Sequence, residues 1–479
     1  MARDLRTFLK DYERDYPEDV LHIEKEVSND QEITAIVAML EAQDKYPVLV
    51  FHRVRNPRGE IARQPVIINV LASRARQARM CHSSFDTLGR DMYHTMKVNS
   101  PAPVVVPKTE APVKEVVQTG QQVDLFDFPL LVHNSTDAGP YIASGFLVTY
   151  DPDSGIDNCA LQRGWVVEKD KVRVHIQEEM HNGINLRKHE MKNQDMRVAY
   201  WIGHHPLAYI GGLTKLPYPG SHWPAMGGLL GEPLRLAASE SLGDDFMVPA
   251  DAEVIVEGIM EARKRYAEGP FGEFHKHVGP QIPSPQFKVT AVTYRNDAMW
   301  YDIAAGWTDH QGTGGPTLEG RVWDMLKGRC PTLQKVYMPL SGTGRYHVYL
   351  QFKNPRPAEV RQAIIMAATV IPSLGKHVFA FDDDVDIFNE KEVMWAIATR
   401  SQWDEDVIIL PRTLQGNLDP SAGLPGENAA GGLDCTKPWG KPFSERVQVE
   451  PAVLARLKLE DYVKPTALAR VKVDRREVV

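Results

Sequence analysis

From Phe146 to Ile176 apolar and polar residues alternate in short runs, GFLVTYD, ALQRGWVVE and DKVRVHI, separated by turn residues. Similar runs return at VPADAEVIVEGIM and FKVTAVTYRNDAMWYDIA. A two-residue period in segments this short makes half-buried strands joined by turns, so the middle of the chain predicts an antiparallel β domain with few helices. Helices are left to the flanks.

Both flanks read as α/β. Leu5, Phe8 and Leu9, then Ile33, Ile36, Val37 and Leu40, recur with helical spacing ahead of the strand-like run Tyr46 to Phe51. PAPVVVPKTEAP, with four prolines in twelve residues, disfavours both helix and central strand and reads as a linker. Beyond residue 305, LEGRVWDMLKG is helical, VYMPL and YHVYLQF are strand-like, and PAEVRQAIIMAATVI then HVFAFDD continue a β-α-β order. A loop rich in Gly, Pro and Asn follows from about Asn417 to Phe443, and PAVLARLKLEDYV reads as a last, partner-docking helix. Three folded parts are expected over the 479 residues: 1–115 with the linker, 116–305, and 306–450, with a helix and tail at 451–479.

Fifty-five basic against 63 acidic residues, with no long run of Lys and Arg, exclude a polybasic footprint for nucleic acid. The charged start MARDLRTFLKDYERDYPEDV has no apolar leader core, and no stretch approaches eighteen apolar residues, so a cytoplasmic protein without a membrane span is expected. Cys81, Cys159, Cys330 and Cys435 are too scattered for a disulfide framework or a thiolate zinc site.

The phosphate-cradling GxxxxGK[ST], the dinucleotide GxGxxG and the zinc HExxH are all absent. Gly312-Thr313-Gly314-Gly315 and Gly431-Gly432 read as turns. Asp382 to Asp386 reads as a solvated acidic turn, since it lacks the glycine and the closing Glu of a calcium loop. EGPFGE, Glu268 to Glu273, is too broken for a helix; its turn can present two carboxylates to one cavity, where different environments would divide acid and base roles. In Asn158-Cys159-Ala160-Leu161-Gln162-Arg163-Gly164, strand alternation sets Asn158 and Arg163 on opposite faces unless a bulge intervenes. A buried Arg163 would need a carboxylate, either Glu268 or a substrate. His181, His204, His205 and His222 lie in or beside the β region, where one or two of them with Asn158 can ligate a hard divalent metal.

Taken together, EGPFGE followed by Phe274, the N-x4-R of Asn158 and Arg163, His181 about twenty residues later, and DDDVDIFNEKEVMWAIATR at Asp382 to Arg400 resemble the UbiD family of reversible decarboxylases that use prenylated FMN. The resemblance runs from about Leu5 to Arg412. It implies a central flavin-reductase-like split β-barrel between an N-terminal α/β segment and a C-terminal α/β domain, with the active site between barrel and C-terminal domain. It implies Arg163, Glu268 and Glu273 as the catalytic network, in which Arg163 holds the carboxylate, Glu268 fixes Arg163 and Glu273 delivers the proton. Asn158, Gln162, Arg163, His181 and Lys391 are implied as cofactor contacts, with Lys391 on the phosphate. Asn158 and His181 are implied as ligands of a divalent metal, usually Mn2+, with K+ nearby. The family's third ligand is a Glu, and here His222 stands in its place, which leaves the metal's identity open.

In the family's specificity region, Trp307, His310, Gln311 and Thr313 are the candidate substrate contacts, Trp307 for stacking and His310 and Gln311 for hydrogen bonds. The expected substrate is a small aromatic or heteroaromatic carboxylic acid, hydroxybenzoate-like or with a ring heteroatom, exchanging CO2. The expected partners are a second copy in a homodimer or larger assembly and a separate flavin prenyltransferase. Two other readings stand beside this one: a metal-assisted hydrolase using Glu268 and Glu273, and a catalytically silent cofactor-binding subunit.

Overall fold

The computed structural model describes residues 3–369, 374–414, 418–422 and 427–471. Helix Leu5–Asp15 starts at a reciprocal cap, in which Asp4 accepts from the Thr7 amide and Thr7 from the Asp4 amide, and it buries Leu5, Phe8 and Tyr12 from one face. Strands Val20–Ile23 and Val48–Phe51 pair in parallel, with helix Glu32–Glu41 between them in sequence. VLVF is buried at all four positions, as a strand covered on both faces must be. Val66–Ile68 and Trp300–Tyr301 complete this sheet. The proline-rich stretch forms a two-residue edge strand, Val104–Val105, beside Arg235–Ala238, in keeping with prolines that cannot donate to a central ladder.

The middle is an antiparallel sheet in the order Tyr141–Ile142, Gly164–Glu168, Lys171–Val174, Gln286–Tyr294, Val254–Met260, Met196–Ile202, Phe146–Tyr150, Asp157–Leu161, with Val116–Thr119 beside Gln286–Tyr294. Connectivity forces it to curl. Asp157–Leu161 and Gly164–Glu168 lie six strand spacings apart in this order, about 29 Å in a flat sheet. They are joined through Gln162 and Arg163 alone, a link that spans at most about 11 Å. The sheet therefore bends until its ends meet, and the Gln162 amide, donating to the Gly145 carbonyl at 3.1 Å, extends the Phe146–Tyr150 ladder up to the link. This mixed α/β architecture has two large apolar cores on either side of the sheet, one holding Phe146, Trp201 and Tyr209, the other Leu147, Tyr200 and Phe287.

In the C-terminal part, His347–Phe352 and His377–Asp382 run in parallel on either side of helix Pro357–Ala367 in sequence, the expected β-α-β order. The last two residues of PAEVRQAIIMAATVI, Val370 and Ile371, lie outside the described residues. The five-stranded sheet has the order Leu333–Tyr337, His347–Phe352, His377–Asp382, Glu427–Cys435, Val407–Leu414. This corrects the loop expected from Asn417 to Phe443: Glu427–Cys435 is an interior strand, while 415–417 and 423–426 lie outside the described residues. Gly431 and Gly432 are not a turn. A Cβ on Gly432 would come within 2.4 Å of the Val378 carbonyl, so glycine is used here for close backbone approach. The acidic turn is not merely solvated either, because Arg400 bonds Asp382 at 3.2 Å and Asp384 at 2.9 Å.

Residues to Thr436 form one compact unit and Lys437 onward a second. In the second, PAVLARLKLEDYV is not one helix: Pro451–Arg456 is helical, Leu457 is extended, and a single 3-10 turn follows at Leu459–Asp461. Leu454, Leu457, Leu459 and Tyr462 are exposed. Among the described residues no helix is long and apolar enough to cross a membrane.

Candidate active site

Arg163 stands where the curled sheet's two ends meet. Because Asp157–Leu161 ends before it, strand alternation does not carry from Asn158 to Arg163, and both side chains line one cavity of about 240 Å³. Glu268 ends strand Tyr266–Glu268, the chain turns through Gly269 and a cis Pro270, and Glu273 follows Phe271–Gly272. Both short strands pair with the returning chain at 278–284, so the broken EGPFGE motif is a double hairpin that turns its two acids onto one guanidinium.

Arg163 forks onto Glu268, Nε to Oε1 at 2.9 Å and Nη2 to Oε2 at 2.7 Å, while Nη1 donates to Glu273 Oε1. The Tyr141 hydroxyl donates to Glu268 Oε1 at 3.2 Å, and His175 Nδ1 lies 3.6 Å from Oε2. All three charged side chains are buried. Burial works against the Arg163 charge, but Glu273 and the bonds to Glu268 outweigh it and raise the pKa above an ordinary arginine's. Burial likewise works against the Glu268 charge; His175 and Arg163 outweigh it and hold the carboxyl below the usual range. Glu273 faces the cavity, whereas fully buried Glu268 is not part of its wall. The two acids are therefore not equivalent: Glu273 is on the cavity wall and Glu268 lies behind it.

At the other end, Asn158 sits across from Thr149 on the neighbouring strand. Both donate to Asn182 Oδ1, Asn158 Nδ2 at 2.5 Å and Thr149 Oγ1 at 2.9 Å. With its amide so held, Asn158 turns Oδ1 toward His181 Nδ1, 3.2 Å away. His181 begins helix His181–Met191, whose start carries no side-chain cap, and the buried Asn182 Nδ2 beside it has no partner among the described residues. His222 behaves differently from the expected third ligand. Its Nδ1 accepts from the Cys159 amide at 3.3 Å and its Nε2 faces the Thr214 carbonyl at 3.2 Å, so neither ring nitrogen is free. Burial, then repulsion from His181, pushes its pKa down to about 3, in keeping with a neutral ring bridging two backbone groups. His204 and His205 lie elsewhere, at the start of helix Pro206–Gly212, where His205 Nδ1 accepts from the Leu207 amide.

Lys391 does not reach the cavity; it is exposed in the first turn of helix Glu390–Arg400. The lysine of the cavity wall is Lys215. It meets water there yet is enclosed by the protein, which, with repulsion from Arg345, pushes its pKa down to about 8. A lone lysine in TKLPYPG looks like any solvated loop cation, so the sequence carried no signal for it.

Of the specificity candidates, His310 and Thr313 line the cavity, as does Gln162, whereas Trp307 and Gln311 do not. Gln311 Nε2 donates to the Phe274 carbonyl at 3.1 Å, which steadies the chain beside Glu273. Lys276 lies over the Trp307 ring. Burial, then repulsion from Arg345, holds His310 well below the usual histidine pKa, and its Nδ1 accepts from the Gly306 amide at 3.3 Å. Arg345, unmarked in the sequence, completes this wall.

An arginine shared by two acids at the seam of a curled sheet, facing a polar donor set across one cavity, is a site chemically suited to hold a carboxylate. The sequence matches the UbiD 3-octaprenyl-4-hydroxybenzoate carboxy-lyase N-terminal domain over 13–96, its Rift-related domain over 104–307 and its C-terminal domain over 312–435. The chain belongs to the UbiD family, and it is a carboxy-lyase. It is 30% identical to the anhydromevalonate phosphate decarboxylase of Methanothermobacter thermautotrophicus over 317 residues, 66% of this chain and 74% of that one. It is 29% identical to the phenolic acid decarboxylase of Streptomyces sp. (strain D7) over 449 residues, 91% and 92% of the two chains. The UbiD-class enzyme HmfF of Pelotomaculum thermopropionicum, solved in complex with FMN, superposes with a TM-score of 0.86 at 29% identity, covering 96% of this chain and all of that one. An evolved dimeric form of HmfF, in complex with prFMN, gives 0.85 at 28% identity over the same 96% of this chain.

Proposed function

We propose that this carboxy-lyase acts on an aromatic or heteroaromatic carboxylic acid, with prenylated FMN in the cavity between Arg163 and Asn158. The supporting observation is the inequivalence of the two acids. Glu268 is locked on two nitrogens of Arg163 and sealed from the cavity, while Glu273 holds the third nitrogen and faces it. A carboxy-lyase family supports neither the hydrolase reading nor the silent-subunit reading.

The donor set suits a flavin phosphate. The partnerless Asn182 Nδ2, the uncapped start of helix His181–Met191 and the Lys215 ammonium offer donors and positive potential to an anion. Asn158 Oδ1 and His181 Nδ1 would supply oxygen and nitrogen to a divalent ion such as manganese. Among the described residues no group of three His, Cys, Asp or Glu side chains is placed to do so alone. Lys215 takes the phosphate role first given to Lys391, and His222 supports the site from behind. Potassium carries no part of this reading. The curled sheet is taken as a split barrel of the flavin-reductase kind, with Gln162, Ala160 and Leu161 against the ring system.

When bound, the modified flavin supplies the electron sink for the pair left as the ring–carboxylate bond breaks, which no side chain could delocalise. The protein's own part is orientation and one proton. A substrate carboxylate takes Arg163 Nη1 from Glu273, while Glu268 keeps the fork aligned through Nε and Nη2. Glu273, released, takes up a proton from water in the cavity and holds it on its carboxyl group. After CO2 departs it transfers that proton to the ring carbon and returns, ionised, to Nη1. Carboxylation runs the same steps backward. Enzyme loaded with prenylated FMN should release CO2 from members of an aromatic acid panel and apo enzyme should not; equal rates in both would refute the flavin role. We further propose assembly with a second copy through the exposed leucines of the C-terminal unit, and supply of the cofactor by a separate prenyltransferase; a single-chain mass by light scattering at micromolar concentration would refute the first.

A further inference from the structure

The cavity wall carries three cations and two carboxylates. Its cations are Arg163, Lys215 and Arg345, and its carboxylates are Glu273 and Asp419. Glu273 is bound to Arg163, and Asp419 accepts from Lys376 at 2.7 Å. Arg345, half-buried, and Lys215, exposed to the cavity, face the same space, and among the described residues neither is within salt-bridge distance of a carboxylate. Two cations on one wall raise its potential and favour an anionic ligand.

The two cations serve different ends. Lys215 acts electrostatically on His181 and His222, beside Asn158. Arg345 acts on His310 and His275 and is itself drawn toward Glu273, at the end where substrate must lie. Its position is built. Nη2 donates to Thr313 Oγ1 at 2.8 Å, the guanidinium lies 4.1 Å from the centre of the Phe274 ring, and a Cβ on Gly314 would sit 2.6 Å from Nε. Gly314 therefore makes room for this arginine, which stacks on one face and keeps part of its fork open. A planar fork so held suits an oxyanion.

We propose that Arg345, seated by Thr313 and Phe274, binds a second anionic group on the substrate, distal to the carboxylate that is lost, so that the preferred acids are dianions. This rests on the decarboxylase reading and narrows its substrate class. Arg345 is here a specificity-determining residue, separate from the proton path through Glu273.

Calorimetric titration of the flavin-loaded protein tests it with benzene-1,3- and benzene-1,4-dicarboxylate, their monoamides, and the corresponding phosphonobenzoates. At least one dianion should bind about tenfold or more tightly than its monoamide, the scale of one charge-assisted hydrogen bond. Arg345→Gln should abolish that preference with flavin occupancy retained, and Arg345→Lys should restore part of it. The ratio of dicarboxylate to phosphonate affinity tells which oxyanion the fork fits. Equal binding of dianion and monoamide, a preference that survives Arg345→Gln, or loss of flavin from that variant would each overturn the proposal. CO2 release read on the same samples separates the two layers. A dianion preference without turnover supports the subsite and breaks the decarboxylase reading, whereas turnover without preference does the reverse.

Discussion

At the Arg163 end of the cavity, Tyr141, Glu268 and Glu273 close their hydrogen bonds around one guanidinium, whereas at the Asn158 end the polar groups stop short of one another. Asn182 Nδ2 has no partner, helix His181–Met191 starts uncapped, and Lys215 forms no ion pair among the described residues. The first end is stable without a ligand and has to be opened by one. The second is completed by a ligand. Burial of charge thus has two meanings in one site, since a satisfied network fixes geometry while an unsatisfied one marks where a guest belongs.

The sharpest way to break this comparison is to open the closed end. Arg163→Ala leaves Glu268 and Glu273 buried together without their cation, so urea unfolding of the apo protein should lose roughly 3–5 kcal/mol. Unchanged stability would mean that the network is not self-contained. At the open end, Asn158→Ala should weaken metal binding by about 10- to 100-fold with flavin occupancy falling alongside, because it removes both a ligand oxygen and the contact that orients Asn182. His222→Ala should instead act on the fold. Losing its bridge between the Cys159 amide and the Thr214 carbonyl should cost about 1–3 kcal/mol, with a smaller drop in metal affinity than Asn158→Ala gives. A larger drop would return His222 to the ligand set. Smaller again, phosphate binding to the apo protein should weaken as pH rises through about 8, where Lys215 loses its proton, and this step should vanish in Lys215→Met. Lys391→Ala should change neither occupancy nor, beyond about 0.5 kcal/mol, stability.

What the sequence revealed of this site follows the same division. Charged residues placed in otherwise apolar or tightly turned segments, Arg163 and the acids of EGPFGE, stand out because burial there demands a partner. Lys215 and Arg345 do not, because a lone cation near proline or glycine is the ordinary composition of a solvated loop, and only the closure of the chain around them encloses their charge. Alternation of apolar residues located the curled sheet but could not say that its ends meet, since that depends on which strands pair. It also misplaced Arg163 relative to Asn158, because nothing in Leu161-Gln162-Arg163 announces where the strand stops. Gly431 and Gly432 read as a turn by composition, yet serve an interior strand that needs close backbone contact. Lys391 rests on motif resemblance alone; it is exposed and lies outside the cavity wall, while the same stretch buries Val393 and Ala396 and sets Arg400 on the acidic turn.

The central claim is that Glu273, and not Glu268, moves the proton. Glu273→Gln keeps the shape and can still lie against Arg163, but it has no carboxylic proton to give. Loaded with prenylated FMN and offered a turned-over acid in D2O, the variant should retain flavin and bind the acid while CO2 release and deuterium incorporation at the vacated ring carbon fall together, by about 10²-fold or more. Deuterium uptake at the wild-type rate in Glu273→Gln, or a loss confined to flavin binding, would contradict it and move the proton to another group of the cavity wall, His310 first.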